Sequence, residues 1–210
     1  MTASPVLDRN QRAELAKAAR REEILTAARR VFAERGFRGT TIADIAEAAN
    51  IALGTIYLYF PSKEAVFAAL NQQLAELITA AVTDVPEPVS LEETVRRRVG
   101  QVFDVCARNR ELVRLVVINS DPETEVTRRM RAADEDRNRP LTKALARAMG
   151  AGAIRQGDAS IVAKLVQGLV TIAVYQAFVV AGGEDAETYR DYCADMIIAY
   201  LTPQAGVHTN

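Results

Sequence analysis

Between Thr40 and Glu64 the chain reads TTIADIAEAANIALGTIYLYFPSKE, and beside three carboxylates the side chains there that can do chemistry are hydroxyls and one ammonium. Thr55, Tyr57 and Tyr59 carry hydroxyls suited to phosphate oxygens. Lys63 falls at the start of a helix, where an ammonium and free backbone N–H groups can hold one phosphate together. Gly54 stands near another helix start, a costly place for glycine, and so points to close approach of something to the backbone. Leu53, Leu58 and Tyr59 are odd choices for a plain solvent face. This is chemistry of recognition. Bond-making chemistry finds no footing elsewhere. The one histidine, His208, lies in the C-terminal tail, so no Ser-His-Asp or Cys-His arrangement can form around it. There is no Gly-x4-Gly-Lys-[Ser/Thr], and Gly150-Ala-Gly152 follows a helix instead of a strand. Asp134-Glu135-Asp136 resembles a metal cluster, but three neighbours on a helix point in different directions. The expectation is a protein that is not an enzyme, with no cofactor and no metal.

Spacings of three and four recur along the chain, which predicts an all-α protein of about nine helices. Residues 1–19 are polar and read as a flexible arm, without the apolar stretch of a signal peptide. From Arg20, the residues Ile24, Ala27, Ala28, Val31 and Phe32 mark one helical face, which Gly36 ends. Thr40 and Thr41 cap a short helix, Ile42 to Ala48, with Asp44 in its first turn. Asn50 tolerates a left-handed turn, and a third helix runs about Leu53 to Tyr59. Two short helices joined by so tight a turn form a helix-turn-helix. Pro61 breaks the chain, and Ser62 caps a fourth helix with the face Val66, Phe67, Leu70, Leu74, Leu77, Ile78 and Ala81. Val85 to Val89, with two prolines, is the clearest linker. Ser90 and Glu93 form a capping box for a helix whose face is Leu91, Val95, Val99, Val102, Phe103 and Cys106. A short apolar helix spans Leu112 to Ile118, and another opens at Asp121-Pro122 and bends or breaks at Pro140. After a glycine loop, two helices run about Ala159 to Ala181 and Asp185 to Leu201, separated by Gly182-Gly183.

The stretch from about Arg20 to Leu70 resembles the DNA-binding domain of the TetR family of transcriptional repressors. The likeness rests on Gly36-Phe37, Thr40-Thr41-Ile42, Ile45-Ala46, Gly54-Thr55-Ile56-Tyr57, Tyr59-Phe60 and Ser62-Lys63-Glu64. It implies that Thr41 and Lys63 contact phosphates of a double-stranded operator. Leu53, Gly54, Thr55 and Tyr57 would face the major groove, with Tyr59 at its edge. Arg20 and Arg21 would reach the adjoining backbone or minor groove. The competing reading has Tyr57 and Tyr59 packing the fourth helix and Lys63 as a solvated charge. Asn50-Ile51-Ala52 replaces the common Gly-Val-Ser turn, which removes a serine hydroxyl from the recognition-helix start. Leu53 stands where a polar residue is frequent, so its base contact would be apolar, as with a thymine methyl.

The resemblance further implies domains at 20–66 (DNA binding) and 67–203 (effector binding and dimerisation), with a tail at 204–210. The last helix carries Tyr189, Tyr192, Cys193, Met196, Ile197, Tyr200 and Leu201 at spacings of three and four. The helix before it is apolar on nearly every side, so two copies pairing as a four-helix interface would bury what a monomer leaves exposed. Gln167, Thr171, Tyr175 and Phe178 lie on one stripe and are candidate effector contacts, faced by Phe103 and Cys106, with Asn119 and Met130 as further candidates. A mostly apolar cavity suits a hydrophobic or amphipathic small molecule. An effector-independent DNA binder or an activator is the alternative.

Ser160 to Ala181 is apolar enough to need a membrane test. Lys164, Gln167 and Gln176 inside it, with no aromatic belt, favour a buried helix and no membrane partner. Cys106 and Cys193, far apart, read as buried thiols of a reducing, cytoplasmic compartment. The 210-residue chain has a net charge of −1, which excludes a protein basic throughout. That charge is uneven: residues 1–38 hold nine Lys/Arg against five Asp/Glu. Operator binding should therefore rest on few phosphate contacts near the N-terminus and weaken as salt rises.

Overall fold

A computed structural model describes residues 8–83, 90–118 and 139–203. Among these residues there are helices and no strands. The helices are α1 (Arg9–Arg35), α2 (Ile42–Ala48), α3 (Leu53–Ile56), α4 (Lys63–Thr83), α5 (Leu91–Arg108) and α6 (Arg110–Ile118). They continue with α7 (139–150), α8 (Ala159–Tyr175) and α9 (Ala186–Leu201), and a π-turn, Gln176–Val180, follows α8. The chain divides into two compact units, residues 1–71 and 72–210, where the sequence suggests 66/67, and the division falls inside α4.

The N-terminal unit is built on apolar residues that α1 presents from Ile24 onward. Ile24, Leu25, Ala28, Val31 and Phe32 are buried with Ile45, Ile56, Phe60, Val66, Phe67 and Leu70. The rings of Phe32, Phe37 and Phe67 contact one another, with Phe37 and Phe67 centroids 5.0 Å apart. Gly36 ends α1 at φ 70°, donating its N–H to the Phe32 carbonyl. Gly39 is needed for space, because a Cβ there would lie 2.4 Å from the Arg35 carbonyl oxygen. Two expectations need correction. Residues 9–19 are not a flexible arm but the start of α1, held by a capping box between Asp8 and Gln11. The third helix ends at Ile56, and Tyr57–Tyr59 continue in tighter turns, Leu58 and Tyr59 donating to the carbonyls three residues back.

In the C-terminal unit α5, α8 and α9 pack together, and α6 packs on the π-turn. Val95, Val99, Phe103, Val113, Val116, Val162, Phe178 and Ile197 are among its core residues. The Ser90 hydroxyl accepts the Glu93 N–H as expected, but Glu93 turns to Arg97 one turn on, so half of the capping box forms. In the face expected for α4, Leu74 is buried but Leu77 is exposed. The π-turn was not expected. By closing i to i+5 bonds it inserts one extra residue, so the spacing that put Phe178 in line with Gln167 and Thr171 does not hold. The linker at 85–89 and the helix from Asp121 towards Pro140 lie outside the described residues, as do Asn119 and Met130. Two stretches, Lys63–Val82 and Ala159–Val180, are long and apolar enough to cross a membrane by length and composition.

Candidate nucleic-acid interface and effector core

The turn that sets α3 is local. Asn50 sits at φ 53°, in the left-handed region, and the Ile51 N–H donates to the Ala46 carbonyl at 3.0 Å, closing α2. Ala52 caps α3 without a side-chain hydrogen bond. Ile56 is fully buried and anchors the segment, while Leu53 is 46% exposed, Tyr57 50% and Leu58 79%. Gly54 is exposed, and a Cβ there would meet open space. Thr55 and Tyr59 are half-buried. Half of the Tyr57 side chain therefore stays open to solvent. The segment shows an apolar and aromatic outer face on a fixed base.

The charged and capping residues behave differently from expectation. Lys63 is neither a solvated charge nor a free phosphate ligand. Its Nζ donates to the carbonyls of Phe37 at 3.0 Å and Thr40 at 2.8 Å and lies 4.8 Å from the Phe37 ring centroid. It latches the 37–40 loop to the start of α4, with one N–H left over. The Thr41 hydroxyl accepts the Asp44 N–H and donates to Asp44 Oδ2 at 2.7 Å, and the Thr41 backbone N–H goes to the same oxygen. In this arrangement Thr41 has no proton left for a phosphate. These bonds, with Arg35 2.7 Å away, hold the Asp44 carboxyl below its ordinary pKa. Arg20 pairs with Glu23, and Arg21 lies over the Phe60 ring at 5.1 Å. Both are exposed.

In the C-terminal unit the structure brings Phe103 and Phe178 together, with centroids 5.8 Å apart. Arg110 lies 5.8 Å over the Phe178 ring and fills the space beside Gly183, whose φ is 93°. Cys106 is buried, and desolvation pushes its thiol up to about 12; Cys193 is raised to about 11 for the same reason. Tyr175 is half-buried. Thr171 must be removed from the effector set, because it is exposed and its hydroxyl donates to the Gln167 carbonyl. The Gln167 Oε1 is buried without a partner. Sequence reasoning missed Arg98 and Gln101, whose Nε and Oε1 are buried and equally unpartnered. They lie one turn apart on α5, beside the apolar stripe rather than in it, so periodicity gave no signal.

The expected dimer seam also changes. Cys193 and Ile197 are buried in their own unit, whereas Tyr192 (64% exposed), Met196 (53%) and Tyr200 (42%) face outward. Tyr189 is half-buried. α8 adds Ile161, Leu165 and Ile172, all exposed, which sequence reasoning did not name. Their spacing of four and seven puts them on one stripe.

Residues 24–70 match the family model for bacterial regulatory proteins of the tetR family. The transcriptional regulator TtgR of Pseudomonas putida is 31% identical over 63% of this chain and 67% of its own length. The chain belongs to the TetR family. Other likenesses are more local. The repressor KstR2 of Rhodococcus jostii is 52% identical over 24% of each chain, so the match spans about a quarter of that relative. The solved structure of the regulator FadR from Bacillus subtilis, in complex with stearoyl-CoA, superposes with a TM-score of 0.74 at 20% identity. That superposition covers 89% of this chain and 99% of FadR, and it supports the fold through both units. In this TetR-family chain Ala52 caps α3 through its backbone alone and Leu53 faces outward.

Proposed function

We propose that this TetR-family chain is a cytoplasmic, ligand-responsive repressor. It would bind a palindromic double-stranded operator as a homodimer and leave it when a hydrophobic or amphipathic small molecule enters the C-terminal core. The observation that carries the DNA reading is the outward face of the recognition segment: Leu53, Gly54 and Tyr57 stand exposed on a buried Ile56. A soluble surface has no need of such residues, and a major groove accepts them. The α8–α9 stripe supports pairing, since an apolar patch of this kind rarely stays open to water. One buried, unpartnered atom on each of the half-buried Arg98, Gln101 and Gln167 supports an effector, because orphaned polar atoms each cost about 1–3 kcal/mol unless a ligand satisfies them. α4 is continuous across the division between the units, which gives effector binding a path to the DNA-binding end. Packing of Phe103 on Phe178 favours the second reading, a regulator of the same fold without effector, but the three orphaned groups weigh against it.

The test is selection of duplexes from a randomised library by the full-length protein. A two-fold symmetric consensus is expected, with half-sites about 34–36 Å apart. Tyr57→Ala should weaken binding to that consensus at least tenfold while the protein stays folded. Enrichment of no sequence at all would sink the proposal.

A further inference from the structure

The start of α1 has no role in the core. Every residue from Asp8 to Glu23 is exposed, yet the segment is helical, with Asp8 Oδ1 accepting the Gln11 N–H at 2.8 Å and Gln11 Oε1 accepting the Asp8 N–H at 2.9 Å. Between Arg9 and Arg21 it carries five Arg/Lys and one acid, Glu14. Among the described residues the Arg9 and Lys17 side chains have no hydrogen bond or ion pair, and the Arg12 side chain reaches only the Asp8 carbonyl, at 3.4 Å. At 100° per residue Arg9, Arg12, Lys17 and Arg20 share one half of the helix circumference. Like charges so close weaken the helix that carries them, and only an external polyanion would turn that cost into binding.

The place where this segment leaves the domain is informative. Arg21 lies over Phe60, just past the recognition segment. Ala19, Glu22 and Glu23 line a groove with Ala48 and Ala49, just before the turn into α3. We infer that residues 9–20 form a rigid basic arm that rides on duplex DNA, with Arg9, Arg12 and Lys17 binding phosphates outside the major groove that α3 enters. At 1.5 Å per residue the arm reaches about 18 Å beyond Arg21, near half a helical turn of DNA. An anionic lipid surface fits less well. A helix lying on a membrane needs an apolar face, and Leu15 is the one large apolar side chain in the arm.

This inference rests on the DNA-binding reading, and its test separates the two. The full chain is titrated by fluorescence anisotropy against a labelled mixed-sequence duplex of about 40 base pairs, between about 50 and 200 mM salt. Phosphate contacts are indifferent to sequence, so no operator is needed. The triple variant Arg9→Ala, Arg12→Ala, Lys17→Ala should lower the slope of log affinity against log salt by about 2–3 and cut affinity at 100 mM salt by about a hundredfold. The corresponding triple Gln variant should reproduce it, with circular dichroism confirming that both stay helical. Equal slopes for wild type and variants on DNA would overturn the arm and leave the DNA reading standing. Wild type that binds neither this duplex nor library-selected duplexes overturns both. Phosphatidylglycerol vesicles that capture wild type as tightly as DNA at equal salt, and release the variants, overturn the choice of DNA.

Discussion

In the N-terminal unit one side-chain polar atom, Arg29 Nε, is buried without a partner, against three in the C-terminal unit among the described residues. Thr40, 1% exposed, donates its hydroxyl to the Gly36 carbonyl, and Lys63 holds two carbonyls. Arg29 has a buried, unpartnered Nε but reaches Glu22 at 3.6 Å through Nη2. What this unit shows the solvent is unusual: leucines, a glycine and a tyrosine at α3, cations along the arm. The C-terminal unit is arranged the other way. Arg98, Gln101 and Gln167 carry buried atoms with no partner, while Leu165, Tyr192 and Met196 stand outside. A unit whose interior polar groups are nearly all satisfied is close to finished as a fold and acts through its surface. A unit with orphaned polar atoms inside and an apolar stripe outside is incomplete in both places. The first property suits a rigid reader of DNA, and the second suits a module that waits for a second copy and a ligand.

The strongest challenge to this contrast is made at the outer stripe. Leu165→Lys with Met196→Lys puts four ammonium groups into the proposed symmetric interface. Unpaired buried charge costs about 3–5 kcal/mol, so the dimer dissociation constant should rise about a thousandfold. Sedimentation velocity reads it. Both residues are more than half exposed, so the fold of each unit should survive. A variant that remains dimeric at micromolar concentration would place the interface elsewhere.

Next in size is Lys63→Met. It removes two charge-assisted hydrogen bonds from a half-buried site, and stability in urea should fall by about 2–3 kcal/mol. If stability is unchanged and only DNA affinity falls, Lys63 is a phosphate ligand after all, and the latch does not matter.

The way these features were or were not readable follows from their range along the chain. α2 was readable to both ends, because Thr41 caps it and the apolar Ile45-Ala46 pair places its inner face within a few residues. The start of α1 was not, since residues 9–20 show no apolar periodicity. There the helix follows from alanine-rich propensity and one capping box. The Lys63 latch joins residues 23 and 26 positions apart, a tertiary contact that no local pattern encodes. In α9 the spacing of threes and fours marked an apolar helix correctly but wraps more than one face. It could not tell Cys193 and Ile197, which face their own core, from Tyr192 and Met196, which do not. The same limit hid Arg98 and Gln101, since a polar residue beside an apolar stripe looks like the solvated edge of a helix until its neighbours are known.

Arg98→Met addresses the inner half of the contrast. Replacing a half-buried guanidinium whose Nε is orphaned by an apolar side chain of similar length relieves a desolvation penalty, so the ligand-free protein should gain about 1 kcal/mol by thermal unfolding. A loss of stability would mean that the guanidinium is supported in the free protein, and the C-terminal unit would then be no less satisfied than the N-terminal one.

The smallest effect comes from the cap of α2, the finished end of the contrast. Thr41→Ala should cost about 1 kcal/mol, as cap removal commonly does. The pH dependence isolates its partner. The Asp44 carboxyl is held below its ordinary value by Thr41 first and Arg35 after, so its folded pKa lies under the unfolded one of about 3.9. A depressed carboxylate contributes stability that is fully present above the unfolded pKa and is lost as pH falls through the folded pKa. Wild type should therefore lose stability below about pH 4. Asp44→Asn, which cannot titrate, should lack that part of the acid loss and be less stable than wild type at neutral pH. Urea midpoints at pH 7 and pH 3 decide it. If the two proteins lose stability in parallel on acidification, the Thr41–Asp44–Arg35 cluster does not hold α2, and the N-terminal unit owes its finish to the aromatic core and the Lys63 latch alone.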